Sequence, residues 1–169
     1  MAEKFCKNMF YYMKNIFKSA LLLVVLCAFA SCGEQVEPVD EYLEVTANNL
    51  SGDWTLQTWN DGAVPEDGVA VYIRFIRKDS RYEMYSNVGS MEFVRQTGDF
   101  VIMNDEALGY VIAGNYDFTL GQEWNHRYIV RLTSDRMVWT AVDDPSDVCV
   151  YVRTSIPQDI TSAFPPVEE

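Results

Sequence analysis

The sequence predicts an all-β domain of many short antiparallel strands, a sandwich or a barrel, preceded by an address and a tether. Three observations lead there. Short runs rich in Val, Ile, Tyr, Phe and Trp recur between residues 54 and 153, with turn residues between them. Several runs alternate, as Val69, Val71, Ile73 and Phe75 do, so that one face is apolar. No stretch of this part sustains a helical apolar period with caps at its ends.

The chain has 169 residues, enough for one domain of ordinary size. Apolar content of 49 % and aromatic content of 14 % supply a core. The balance is acidic. Removing four lysines and one glutamate with residues 1–31 takes the net charge from −12 to −15. Nucleic acid is excluded as a partner, because binding it requires Lys and Arg against phosphate. The eight arginines and one lysine left after residue 31 suit sheet faces, where they pair with carboxylates and stack on rings. Cys6, Cys27 and Cys32 fall in or at the end of the leader, leaving Cys149 alone in the folded part. No disulfide framework follows from that, and Cys149 reads as a small apolar strand residue.

The elements follow in order. Ala20 to Ala30 is an apolar run of 11 residues, too short for a bilayer, which needs about 20. Lysines precede it and small residues follow, the layout of a secretory signal. Phe29-Ala30-Ser31-Cys32 resembles a bacterial lipobox, with Phe29 where leucine is usual. The resemblance implies acylation of Cys32 and anchoring at the cell envelope, in the outer membrane, facing the periplasm or the surface; the alternative is an ordinary secretion signal. A compact leader would begin at Met13, so translation is expected to start there instead of at Met1. Gly33 to Glu41 is acidic and aperiodic, a tether; it resembles a surface-export signal of bacterial lipoproteins or is simply solvated.

Strand candidates follow at Trp54 to Asn60, Val69 to Lys78, Tyr82 to Ser86, Met91 to Gln96, Phe100 to Met103, Gly109 to Ile112, Trp124 to Leu132, Arg136 to Val142 and Val148 to Arg153. Thr97-Gly98-Asp99 is expected to interrupt two of them, and Gly114-Asn115 to turn. In the last, Val148, Val150 and Val152 are expected inward. Ile76 and Ile129 make two strands apolar on both faces, which implies a partner interface, an end cap, or a tail lying across the sheet. The segment from Ser155 is expected to fray or to drape over the surface.

Leu50-Ser51-Gly52-Asp53-Trp54-Thr55-Leu56 resembles the first strand of the lipocalin and lipocalin-like families, whose signature is Gly-x-Trp. The Thr-Asp-Tyr motif of animal lipocalins is missing; Thr133-Ser134-Asp135-Arg136 stands near its place. With the lipobox, this points to the bacterial lipocalin-like lipoproteins. The resemblance implies an up-and-down antiparallel β-barrel of about eight strands. It also implies that Trp54 closes the barrel floor with a late arginine across its ring, for which Arg153 is the match. Independently, Gly52 lacks a Cβ and lets the chain turn tightly against that ring. The expected layout is a signal peptide at 1–31, a tether at 32–47, the barrel at 48–156 and a tail at 157–169.

No catalytic constellation is legible, so no enzyme is expected, nor any cofactor. His126 is the only histidine, which precludes a His-based metal cluster. Asp143, Asp144 and Asp147 read as a hairpin turn and not as a calcium loop. Phe75, Tyr82, Met84, Met91, Phe93, Phe100, Met103, Tyr128, Met137 and Trp139 either line a cup or fill a solid barrel. Two functions stand. One is a lipid-anchored barrel that binds a small hydrophobic ligand. The other is a non-catalytic accessory subunit whose outer face docks on an envelope protein partner. A void of about 300 Å³ or more among those side chains, open at one end, separates them.

Overall fold

A computed structural model describes residues 41–64 and 68–165. The leader, the Cys32 acylation site, the question of Met1 or Met13, and most of the expected tether lie outside the described residues, as do residues 65–67 and 166–169.

The strands are β1 (Gly52–Trp59), β2 (Gly62–Ala63), β3 (Val71–Ile76), β4 (Arg81–Ser86), β5 (Val94–Asp105), β6 (Gly109–Tyr116), β7 (Gln122–Glu123), β8 (Tyr128–Leu132), β9 (Arg136–Ala141) and β10 (Val148–Arg153). Eight of them pair antiparallel in the order β1-β3-β4-β5-β6-β8-β9-β10, β2 and β7 add to β1 and β6, and β10 pairs back onto β1. The sheet is thereby closed into the expected up-and-down barrel, which removes its free edges. The two-residue strand β2 extends β1 through a tight turn. Asn60 and Asp61 both take positive φ there, and Trp59 faces Gly62, the geometry of a type I′ hairpin.

Two expectations about turns are corrected. Met91 to Gln96 and Phe100 to Met103 are not separate strands with a break at Thr97-Gly98-Asp99. They belong largely to one 12-residue strand, β5. Gly114-Asn115 is likewise strand, inside β6. Both glycines are there for close approach. A Cβ on Gly98 would stand 1.9 Å from the carbonyl oxygen of Asn115, and one on Gly114 would stand 2.5 Å from the Trp124 ring. Glycine in a strand marks such places as well as turns.

The floor of the barrel is built by α1 (Ala47–Leu50), β1 and the end of β10. Thr46 caps α1 by accepting from the Asn49 amide. Leu50 and Trp54 are fully buried, and the indole Nε1 donates to the Leu50 carbonyl at 2.8 Å. The Arg153 guanidinium lies 4.1 Å from the centre of that ring. Its nitrogens donate to the carbonyls of Ser51 at 2.8 Å, Ser134 at 2.9 Å and Asn49 at 2.5 Å. Gly52 sits at φ +115°, and a Cβ there would meet Arg153 Nη1 at 3.0 Å. Backbone angle and space therefore both call for glycine.

Asp53, next in the chain, points away from the floor. It accepts two bonds from Arg74, at 2.7 and 3.0 Å, and one from the Ile156 amide at 3.2 Å. Burial opposes its ionisation, but the bond from Arg74 outweighs this with the help of Ile156, and the carboxyl lies below its usual range. Asp53 thus ties the tail to the barrel. The tail then forms α2 (Gln158–Ser162). Ile156 and Ile160 are buried against Tyr85, with Tyr72, Phe93 and Phe164 around them. This part of the chain drapes over the outside of β3 and β4 and covers Tyr72, Tyr85 and Phe93, whereas Val94 and Val101 of β5 stay exposed. At the other end of the domain, Leu43 bridges to Leu132 and Val45 is buried in the main core. The fold therefore takes in the last residues of the stretch grouped with the tether.

Candidate functional site

Alternation places Val71, Ile73 and Phe75 of β3 inward, as it does Val130 and Leu132 of β8 and Met137, Trp139 and Ala141 of β9. In β10 the expected parity is reversed. Cys149 pairs with Trp139, and Tyr151 with Met137 and Leu56. Cys149, Tyr151 and Arg153 therefore face in, while Val148, Val150 and Val152 face out. The reason lies at the floor: Arg153 must face in to reach Trp54, and a period of two carries Tyr151 and Cys149 with it.

The barrel narrows to solid packing below and opens to a chamber above. Phe75 meets Phe100 edge-on at 5.1 Å and lies 6.2 Å from Trp139; Met137 is fully buried beneath. Above them is a chamber of about 260 Å³, among whose lining residues are Tyr82, Met84, Trp124, Tyr128, Trp139, Tyr151 and Trp59. Trp139 is its hub, with ring centres of Tyr151 at 5.1 Å, Tyr128 at 5.2 Å and Trp124 at 5.6 Å. A bonded chain fixes one wall: Trp124 Nε1 donates to the Tyr82 hydroxyl at 2.9 Å, and that hydroxyl donates to the Asn115 carbonyl at 2.8 Å. Gly98 and Gly114 make the room in which these groups meet.

A second, more apolar cleft of about 560 Å³ adjoins the chamber at the open end. Leu56, Ala63, Val64, Val69 and Val71 help to form it, and it shares Trp59, Met84, Cys149 and Tyr151 with the chamber. The chamber alone falls just short of the roughly 300 Å³ typical of ligand pockets, whereas the cleft beside it is well within that range.

The mouth is polar. Trp59 is about half exposed, at 48 %, and its Nε1 donates to Asp147 Oδ1 at 2.8 Å. The Asn60 side chain accepts from the Val148 amide at 2.8 Å. Together these bonds clamp the β1–β2 hairpin to the β9–β10 loop. His126 Nδ1 lies 2.8 Å from Asp143 Oδ1, and this bond raises its pKa above the ordinary 6.5. Burial, with the Asp147 charge added, pushes the Cys149 thiol up to about 12. That leaves a poor nucleophile. The hydroxyls of Tyr128 and Tyr151 are also raised, chiefly by burial. Inside, the Trp139 indole Nε1 is buried without an acceptor, an uncommon condition for a polar group.

Of the residues expected to line a cup, Tyr82, Met84, Tyr128 and Trp139 border the chamber, and Phe75 and Met137 form its base. Phe93 does not belong with them. It packs outside the barrel, 6.2 Å from Tyr72 and beneath the tail, because it precedes β5 at the rim. Met91 is fully exposed, and Met103 pairs with Val111 on the face opposite Ile102. Sequence reasoning missed Trp59, Trp124, Asp147, Cys149 and Tyr151. Parity from Arg153 marks the two in β10, and alternation back from Tyr128 through His126 marks Trp124, although the strand expected from Trp124 starts at Tyr128 and Trp124 lies in irregular chain after β7.

No curated protein matches this chain. A family model described as the lipocalin-like domain matches residues 50–139, a span that runs from the floor residue Leu50 to the hub residue Trp139. With the closed eight-stranded barrel around that span, the chain belongs to the lipocalin-like domain family.

Proposed function

We propose that this protein is a binding module that holds a small hydrophobic ligand in the open end of its barrel and is tethered to the cell envelope through an acylated Cys32. The observation that carries the first half is the chamber around Trp139, ring-lined and sharing Trp59, Met84, Cys149 and Tyr151 with an apolar cleft. A solid barrel would lack that space. The second half is supported by the sequence, where lysines, an apolar run and Ala30-Ser31-Cys32 follow one another. The chamber by itself stays below the void of about 300 Å³ that separates the two functions; it is together with the cleft beside it that the space supports binding over an accessory role with a filled barrel.

Native mass spectrometry of the mature domain, paired with titration of the neutral fluorophore N-phenyl-1-naphthylamine, tests the binding. One bound molecule per barrel is expected, as is its loss in Cys149→Phe, whose ring would enter the chamber and the cleft together. A barrel that takes up no ligand and no fluorophore would sink this reading and leave the accessory role. Labelling with palmitate in a bacterial host, lost in Cys32→Ser, tests the anchor.

A further inference from the structure

We infer that the chamber selects a small organic cation, an ammonium on an apolar or aromatic body, and rejects carboxylates. This rests on the reading of the barrel as a binding cup and names the class of ligand that the cup takes.

The wall is the first ground. Trp59, Trp124, Tyr128, Trp139 and Tyr151 present five aromatic rings to one chamber of about 260 Å³. The face of an aromatic ring is the negative end of its quadrupole, and indole has the strongest attraction for a cation. This chain already makes such a contact at its floor, where Arg153 covers Trp54.

The charges at the mouth are the second ground. Asp147 and His126 are the charged or titratable side chains, other than phenols and the Cys149 thiol, that line the chamber among the described residues, and no Lys or Arg does. Asp147 is half-buried, and its Oδ1 takes the Trp59 N–H. Its carboxylate makes no ion pair among the described residues. His126 brings no net positive charge to the mouth, because Asp143 is bonded to it and Asp144 lies near. Arg127 lines a different groove, beside Val101 and Met103. The Asp147 charge is felt inside: after burial, it is among the causes that hold Tyr128, Tyr151 and Cys149 in their neutral forms. A carboxylate brought into this space would lose its hydration, meet the like charge of Asp147 and find no Lys or Arg to pair with. The ligand that fits is one whose ammonium faces Asp147 and the rings.

The test uses three probes of one shape on the mature domain at neutral pH and low salt: naphthylethylamine, naphthylethanol and naphthylacetate. Calorimetric titration is expected to rank them amine, alcohol, acid, with the amine about tenfold tighter than the alcohol. Asp147→Asn keeps an acceptor for Trp59 and removes the charge. It is expected to bring the amine within about twofold of the alcohol, with an unchanged near-UV circular dichroism spectrum as proof that the cup is intact. An acid that binds as tightly as the amine, or an amine preference that survives Asp147→Asn, overturns the inference. Equal binding of all three leaves the cup standing and removes only its selectivity; no binding of any probe removes both.

Discussion

Replacing Trp54 and Arg153 by alanine, singly and together, asks whether the barrel floor is one structural unit. Trp54 is fully buried, so Trp54→Ala loses a whole indole and leaves a cavity, which costs about 3–5 kcal/mol. Arg153 donates to three carbonyls, but its side chain is partly exposed and solvent screens those bonds, so Arg153→Ala is expected to cost about 1–3 kcal/mol. The two residues are register partners across β1 and β10 and are stacked at 4.1 Å. The double mutant should therefore be less destabilised than the sum of the singles by about 0.5–2 kcal/mol. Urea unfolding followed by far-UV circular dichroism is the suitable assay, since tryptophan fluorescence changes with the mutation itself. Additivity within about 0.3 kcal/mol would refute the stacking argument. A Trp54→Ala protein that lost less than about 1 kcal/mol would refute the floor as a whole.

Other consequences can be checked in the same way. Gly98→Ala forces a Cβ against the Asn115 carbonyl, 1.9 Å away; it is expected to cost about 3 kcal/mol or more and to disturb the Tyr82–Trp124 bond, read as a changed near-UV signal. Ile160→Ala uncovers Tyr85 outside the barrel and should cost about 2 kcal/mol in urea unfolding, with ligand affinity unchanged. The His126 imidazole should titrate by NMR above 6.5 and return toward it in Asp143→Asn. Because its folded pKa is raised, the stabilisation from this pair is complete below the unfolded pKa and is lost as pH rises through the folded one.

Much of the fold was legible because closed barrels obey a simple alternation. Trp54, Ile73, Phe75, Val130 and Met137 all fall where period-two reading puts them. Gly98 and Gly114 misled because glycine serves turns and close approaches alike, and only the facing chain, Asn115 or Trp124, distinguishes the two. The face of β10 was misread because Val148, Val150 and Val152 are the more apolar set. Arg153, already matched to Trp54, carried the correct parity, since a residue that stacks on the floor fixes the face of every second residue before it. Phe93 shows the opposite limit: an aromatic at the rim finds its partners on the tail, more than sixty residues later in the chain, and no local pattern reports that. The chamber was legible in part, in its lining residues Tyr82, Met84, Tyr128 and Trp139, but its space was not. Its space depends on Trp124 folding back over Gly114, a contact between irregular chain and strand.

The chain has four tryptophans, and their indole N–H resonances report on the central claim directly. Trp54 is bonded at the floor, Trp59 at the mouth and Trp124 in the wall, and Trp139 is unbonded at the hub. On addition of naphthylethanol, NMR should show the Trp139 indole proton moving furthest, Trp59 and Trp124 moving with it, and Trp54 staying in place. Movement of Trp54 with Trp139 unmoved, or no movement of any of the four, would contradict a binding cup at the open end of this barrel.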